Sequence, residues 1–207
     1  MAKKPIKRRA KKATVVKTIE QTSAELKQFS HPDEAHPGFS FTRYWYSSPF
    51  DRSGISAWVR KKLEPGDDPR FGSAAKFEVL LPPTAPSDFL DVDHLTGRYD
   101  QTLPDFQHHA MIQVKLGMDP SRPWHAGYEN IRAYAKAHFA CQFPVILVAH
   151  VPGSAALEGY GNHVHCIVLA RKIGPDGLAG VCKKLCSDNG YRSALAAWRK
   201  FSDEVSL

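Results

Sequence analysis

The sequence predicts an α+β domain built on a sheet of hairpin-joined strands with flanking helices. Strand-length runs of apolar or alternating residues recur at 39–46, 77–81, 110–116, 145–150 and 165–170; helical periodicity governs 124–143 and 191–205; glycine- and proline-rich links separate them. At 207 residues the chain holds one core with an appendage. A change of texture near residue 36 divides it into a basic, flexible arm at 1–35 and a folded domain at 36–207.

The arm carries Lys3, Lys4, Lys7, Arg8, Arg9, Lys11, Lys12 and Lys17 before the first acid, Glu20, so the formal net charge of +7 resides in the arm and the body is close to neutral. Such an arm neutralises phosphates without reading sequence. A helix over 17–29 would align only Ile19, Leu26 and Phe29, a sparse core face. The first strand, 39–46, alternates aromatic and polar residues, placing Phe39, Phe41 and Trp45 on one face and Tyr44 and Tyr46 on the other, less apolar one. A short helix follows at 55–63, broken by Glu64-Pro65-Gly66-Asp67-Asp68-Pro69. Strand 77–81 stops at Pro82-Pro83, and the polar stretch to Phe106 reads as a partly helical loop. After strand 110–116, the segment 124–143 sets Tyr128, Ile131, Tyr134, Ala135, His138 and Phe139 at helical spacing. The runs 145–150 and 165–170 suit central strands, joined by the glycine-rich 152–161. A second amphipathic helix closes the chain at 191–205.

No apolar run approaches the ~20 residues that span a membrane, and no apolar segment follows the basic start as in a secretory signal. A cytoplasmic protein is expected. Its four cysteines (Cys141, Cys166, Cys182 and Cys186) then read as reduced. Cys182 and Cys186, four apart, would share one helix face as a weaker metal-ligand alternative.

The chemistry-bearing pattern is His163-Val164-His165. Residues two apart on a strand project from one face, close enough to hold one ion. His150 ends the preceding apolar strand and arrives beside them if the two strands pair. Three neutral imidazoles suit a borderline divalent metal and leave positions open for a substrate oxygen, where the ion can polarise a phosphate. Other sandwich folds use the same pair of histidines, so spacing alone also admits an unrelated metal enzyme such as a small oxygenase.

The segment 150–171, with Gly161-Asn162-His163-Val164-His165 leading into Ile167-Val168-Leu169-Ala170-Arg171, resembles the third motif of the MobA/MobL plasmid mobilisation relaxases. Arg52-Ser53-Gly54-Ile55-Ser56-Ala57 resembles that family's R-S-G-x-S-A segment, and Phe77-Glu78-Val79-Leu80-Leu81-Pro82-Pro83-Thr84-Ala85-Pro86 its x-E-I-L-L-P-P-x-A-P segment. The likeness runs over 39–201. It implies an HUH-type antiparallel sheet with a three-histidine site on central strands, in which His150, His163 and His165 hold a divalent ion (Mg, Mn or Zn) against one phosphate of single-stranded DNA at a transfer origin. A tyrosine attacks that phosphate, forming a 5′-phosphotyrosine and freeing a 3′-OH. Arg171 and Lys172 would contact backbone phosphate, Glu78 would orient a histidine or activate the tyrosine, and accessory relaxosome proteins with a separate helicase would be the partners.

Two positions depart from the family's pattern. Its usual tyrosine position falls at Leu63, and a carboxylate often found on the third strand is replaced near Gln113. Tyr46, nearer the turn, and then Tyr44 are the candidate nucleophiles, with Tyr191 on the last helix a further one. The expectation is metal-dependent nicking and strand transfer on a plasmid or mobile element; the alternative is a catalytically silent, relaxase-like DNA-binding protein.

Overall fold

The computed structural model describes residues 17–23, 26–31, 38–46, 54–64, 74–104, 106–152 and 161–205. Seven strands, β1 (Lys17–Ser23), β2 (Leu26–Ser30), β3 (Phe39–Tyr46), β4 (Lys76–Leu80), β5 (His109–Gly117), β6 (Val145–His150) and β7 (His163–Leu169), form one sheet in the order β1-β2-β3-β5-β7-β6-β4. Every neighbouring pair is antiparallel. A separate hairpin, β8 (Arg171–Gly174) with β9 (Gly177–Val181), follows. The helices are α1 (Gly54–Leu63), α2 (Val92–Thr102), α3 (Trp124–His138) and α4 (Asp188–Val205). This is the expected α+β, HUH-type arrangement.

The sheet is the middle layer. Phe41, Val114, Leu147 and Cys166 pack with Tyr128, Ile131 and Tyr134 of α3 and with Ala194 and Leu195 of α4. The alternate residues Tyr44, Met111, Val148 and Ile167 pack with Ile55, Trp58 and Val59 of α1 and with Leu95 and Tyr99 of α2. Because helices cover both faces, β6 is buried at all six positions. That is why Val145-Ile146-Leu147-Val148-Ala149 is unbroken apolar sequence rather than an alternation.

The sparse helix considered for 17–29 is absent. Residues 17–23 and 26–30 instead pair as β1 and β2 on the sheet edge, Leu26 opposite Tyr46 and Gln28 opposite Tyr44. The partly helical loop before Phe106 holds a complete helix, α2, whose start is capped by the Asp91 carboxylate accepting from His94 N at 2.7 Å. The helix read over 124–143 ends at His138. No described helix is long and apolar enough to cross a membrane.

Candidate metal centre

Antiparallel pairing of β6 with β7 sets His150 directly opposite His163 and Val148 opposite His165. All three histidines therefore share one face, the α1/α2 side. Their ring centroids are 5.5 Å (His150–His163), 5.2 Å (His150–His165) and 4.9 Å (His163–His165) apart. With metal–nitrogen bonds of about 2.0–2.1 Å, imidazoles sharing one ion tetrahedrally have centroids roughly 5 Å apart. The spacing thus fits an ion. Among the described residues no three His, Cys, Asp or Glu side chains already present their donor atoms to hold one, so binding would require the rings to turn.

The chemistry of the donors fits as well. His163 Nδ1 lies 2.9 Å from the Gly161 carbonyl oxygen, which can only accept, so Nδ1 carries the proton and Nε2 keeps its lone pair. His165 Nδ1 is fully buried without a hydrogen-bond partner among the described residues, a cost of about 1–3 kcal/mol unless a bound group satisfies it. Burial, then the nearby Lys62 charge, pushes the His165 imidazole well below its ordinary range; burial also lowers His163, against the hydrogen bond to Gly161, with Lys115 and Lys62 adding to the lowering. Neutral rings with available lone pairs are what a metal needs.

Two cations border the histidines. Lys115 sits opposite His165 in the β5–β7 register. Lys62 belongs to the last turn of α1, which carries Arg60, Lys61 and Lys62 in succession, an arrangement favoured at a helix C-terminus. Arg60 is committed to Asp93 at 3.0 Å. Neither Lys62 nor Lys115 stands out in the sequence; only the β5–β7 register brings Lys115 to His165. Gln113, two residues along β5 on the same face, has a buried Oε1 without a partner among the described residues.

The expected nucleophiles are elsewhere. Ser40, Lys115 and His165 lie in one row across β3, β5 and β7. Tyr44 and Tyr46 are four and six residues further along β3, roughly 13 and 20 Å from that row, and two strands, about 10 Å, to the side. They share the histidines' face, but at their end of β3 that face is core. The Tyr46 hydroxyl donates to Asp100 Oδ1 at 2.6 Å, while Asp100 Oδ2 accepts from Ser56 N at 3.0 Å and from Ser56 Oγ at 2.9 Å. Burial raises the Asp100 carboxyl, and the Tyr46 and Ser56 bonds oppose it. The serine of the R-S-G-x-S-A segment thus anchors the start of α1 to α2. Tyr44 is buried edge-on to Trp58 at 5.0 Å, and burial pushes its hydroxyl well above the ordinary tyrosine range.

Tyr191 lies on the α3/α4 side, stacked on His31 at 4.1 Å. Tyr99, Tyr128 and Tyr134 are core residues bonded to Ala110 O, Glu78 and Ala194 O, and Tyr160 is outside the described residues. Leu63 is half-buried against the α1/α2 core.

Glu78 is also elsewhere. Opposite Leu147, it points to the face away from the histidines, where Arg132 Nε and Nη2 both donate to it at 2.7 Å. Arg132 holds the carboxyl below the ordinary glutamate range. Arg171 is likewise placed away from the histidines. It is buried at the far end of β7, donating to Ala179 O and Leu178 O at 2.8 Å and to Thr102 Oγ1 at 2.7 Å, which staples the β8–β9 hairpin to α2. Lys172 is exposed beside it, at the same remote end. Cys182, directly after β9, and Cys186, in the turn before α4, are not on a helix; Cys186 is buried, which pushes its thiol up to about 12.

Fold and site together define an HUH-type α+β architecture with three histidines on one sheet face. No protein-family profile matches the sequence and no curated protein does. Among solved structures, the chain is similar to one reported as "Molecular Basis of Vancomycin Resistance Transfer in Staphylococcus aureus", with a TM-score of 0.53 and 13% identity over 64% of this chain and 69% of that one. At that identity the likeness is one of fold.

Proposed function

We propose that this protein is a relaxase-like, metal-dependent nickase of single-stranded DNA, acting in the cytoplasm at the transfer origin of a plasmid or other mobile element. The convergence of His150, His163 and His165 on one face, with Lys62 and Lys115 beside them, carries the reading. The histidines would hold a divalent ion, Mg, Mn or Zn, which when bound supplies Lewis acidity at one backbone phosphate. Lys62 and Lys115 offset the charge of the flanking backbone. In the nicking step a tyrosine hydroxyl oxygen bonds to phosphorus, the bond from phosphorus to the 3′ oxygen breaks, and that oxygen leaves as a protonated 3′-OH. Accessory relaxosome proteins and a separate helicase would complete the process.

A second reading has its own observation: none of the six described tyrosines is placed at the histidines, which favours a silent relative that binds DNA without cutting it. Incubating the protein with labelled single strands from its own genetic neighbourhood and Mg²⁺ or Mn²⁺, followed by denaturing electrophoresis and mass mapping, separates the two. An adduct that disappears with EDTA is expected and names the tyrosine. Binding without adduct selects the silent relative, and absence of binding overturns both.

A further inference from the structure

We infer that Phe77 is a stacking platform for an unpaired base of single-stranded DNA, the base adjoining the phosphate held at the histidines; the inference rests on the DNA reading above. Phe77 is 52% exposed, whereas Val79 and Val148, its neighbours on the same face, are 7% and 0% exposed. Among the described residues the other exposed large apolar side chains, Leu90 and Phe106, lie in a 3-10 turn and a turn; Phe77 is on a strand of the sheet. A lone exposed apolar residue is ordinary on any surface. Its position is what gives this one meaning.

Pairing places Phe77 opposite Val148, Val148 opposite His165, and His165 opposite Lys115. One row across β4, β6, β7 and β5 therefore runs exposed ring, buried valine, imidazole, cation, all on one face. Phe77 is two strand spacings, about 10 Å, from His165. The adjacent row, His150 opposite His163 opposite Gly117, carries no carboxylate, and Glu78 and its partner Arg132 are on the reverse face. A nucleotide has this same polarity: an anionic phosphate at one end and a flat apolar base at the other. Base–aromatic stacking is indifferent to sequence, because every base has a π-face. A peptide ligand would match the apolar end of the row but supply no anion of fixed spacing for the histidine and lysine end.

The test compares fluorescence-anisotropy titrations, with Mg²⁺ present, of a labelled oligothymidylate and of an abasic strand of the same length, which keeps every phosphate and lacks every base. The native protein is expected to prefer the thymidylate by about tenfold. Phe77→Ala should lose that preference while holding the abasic strand as before, Phe77→Trp should keep it, and Phe77→Leu, which retains apolar bulk without a flat ring, should not. A preference undiminished in Phe77→Ala overturns the role of Phe77 and leaves the DNA reading standing. Failure of the native protein to bind either strand overturns the DNA reading and this inference with it.

Discussion

Replacing Tyr46 with Phe removes one hydroxyl and nothing else, and the structure specifies the consequence. That hydroxyl donates to a buried carboxylate at 2.6 Å, and a hydrogen bond to a charged acceptor contributes about 1.5–3 kcal/mol. For a chain of this size each kcal/mol moves Tm by about 2–4 °C, so Tyr46→Phe should melt roughly 3–12 °C lower. The loss should also depend on pH. Burial already raises the Asp100 carboxyl, and the Tyr46 bond is the largest effect opposing it; without that bond the folded-state carboxyl rises further. At a pH low enough to protonate Asp100 in both folded and unfolded states, only a neutral hydrogen bond is lost. Above its folded pKa an ionised group has also lost its donor, so the difference grows towards neutral pH. Thermal melts from pH 4 to 8, beside the DNA-adduct assay well below Tm, measure both. An unchanged Tm together with loss of the adduct would make Tyr46 the nucleophile and refute the geometry argued above.

The remaining expectations concern the metal, the charges and the reverse face. Zn²⁺ or Mn²⁺ at a hundredfold excess over its Kd should stabilise the native protein by about 2.7 kcal/mol, and His165→Ala should abolish that metal-dependent shift in calorimetry. Lys62→Ala and Lys115→Ala should each lower the salt slope of single-strand binding by about 0.7 for every phosphate the removed lysine neutralises; a slope unchanged in both places the DNA elsewhere. Glu78→Gln should cost about 1–2 kcal/mol at pH 7, part of its bidentate pair with Arg132 being discounted because both side chains are about a third exposed (28% and 33%). Arg132 lowers the Glu78 carboxyl, so this contribution is present above the unfolded-state value and disappears as pH falls through the lower folded-state value; native and variant melts should converge in acid. Metal binding and adduct formation should be untouched by Glu78→Gln.

Much of the scaffold was legible because its strands advertise themselves. Phe39–Tyr46 and Val145–His150 were readable to the residue, since aromatic alternation and an unbroken apolar run each suit one kind of strand. Lys17–Ser30 was not, because an edge hairpin needs few apolar residues once a neighbour supplies the core; Leu26 is buried against Tyr46 and Trp58. Helix α2 hid in a polar stretch for the same reason, exposing most of its surface and burying only Leu95, Thr96, Tyr99 and Asp100. The face shared by the three histidines followed from period two. Alternation also put Tyr44 and Tyr46 on one face correctly, but could not say that helices α1 and α2 cover it, nor how far along the sheet they fall. Lys115 and Phe77 align with the histidines through strand register, and Lys62 reaches them through the packing of α1 on the sheet, none of which a local pattern encodes.

Placing all three histidines on one hairpin divides the chain into lengths that can vary and lengths that cannot. The connection 151–162 joins strands already paired, and doubling such a connection costs only about 0.6 kcal/mol. Insertions there would leave His150 opposite His163. One residue added within β6 has the opposite effect: it reverses the facing of everything beyond it and turns His150 towards α3 and α4, onto the wrong side of the sheet. Among diverged sequences of this fold, length should therefore drift freely between the histidine-bearing strands and stay fixed inside them. The relative placement of the three histidines is then inherited unchanged while the connection varies.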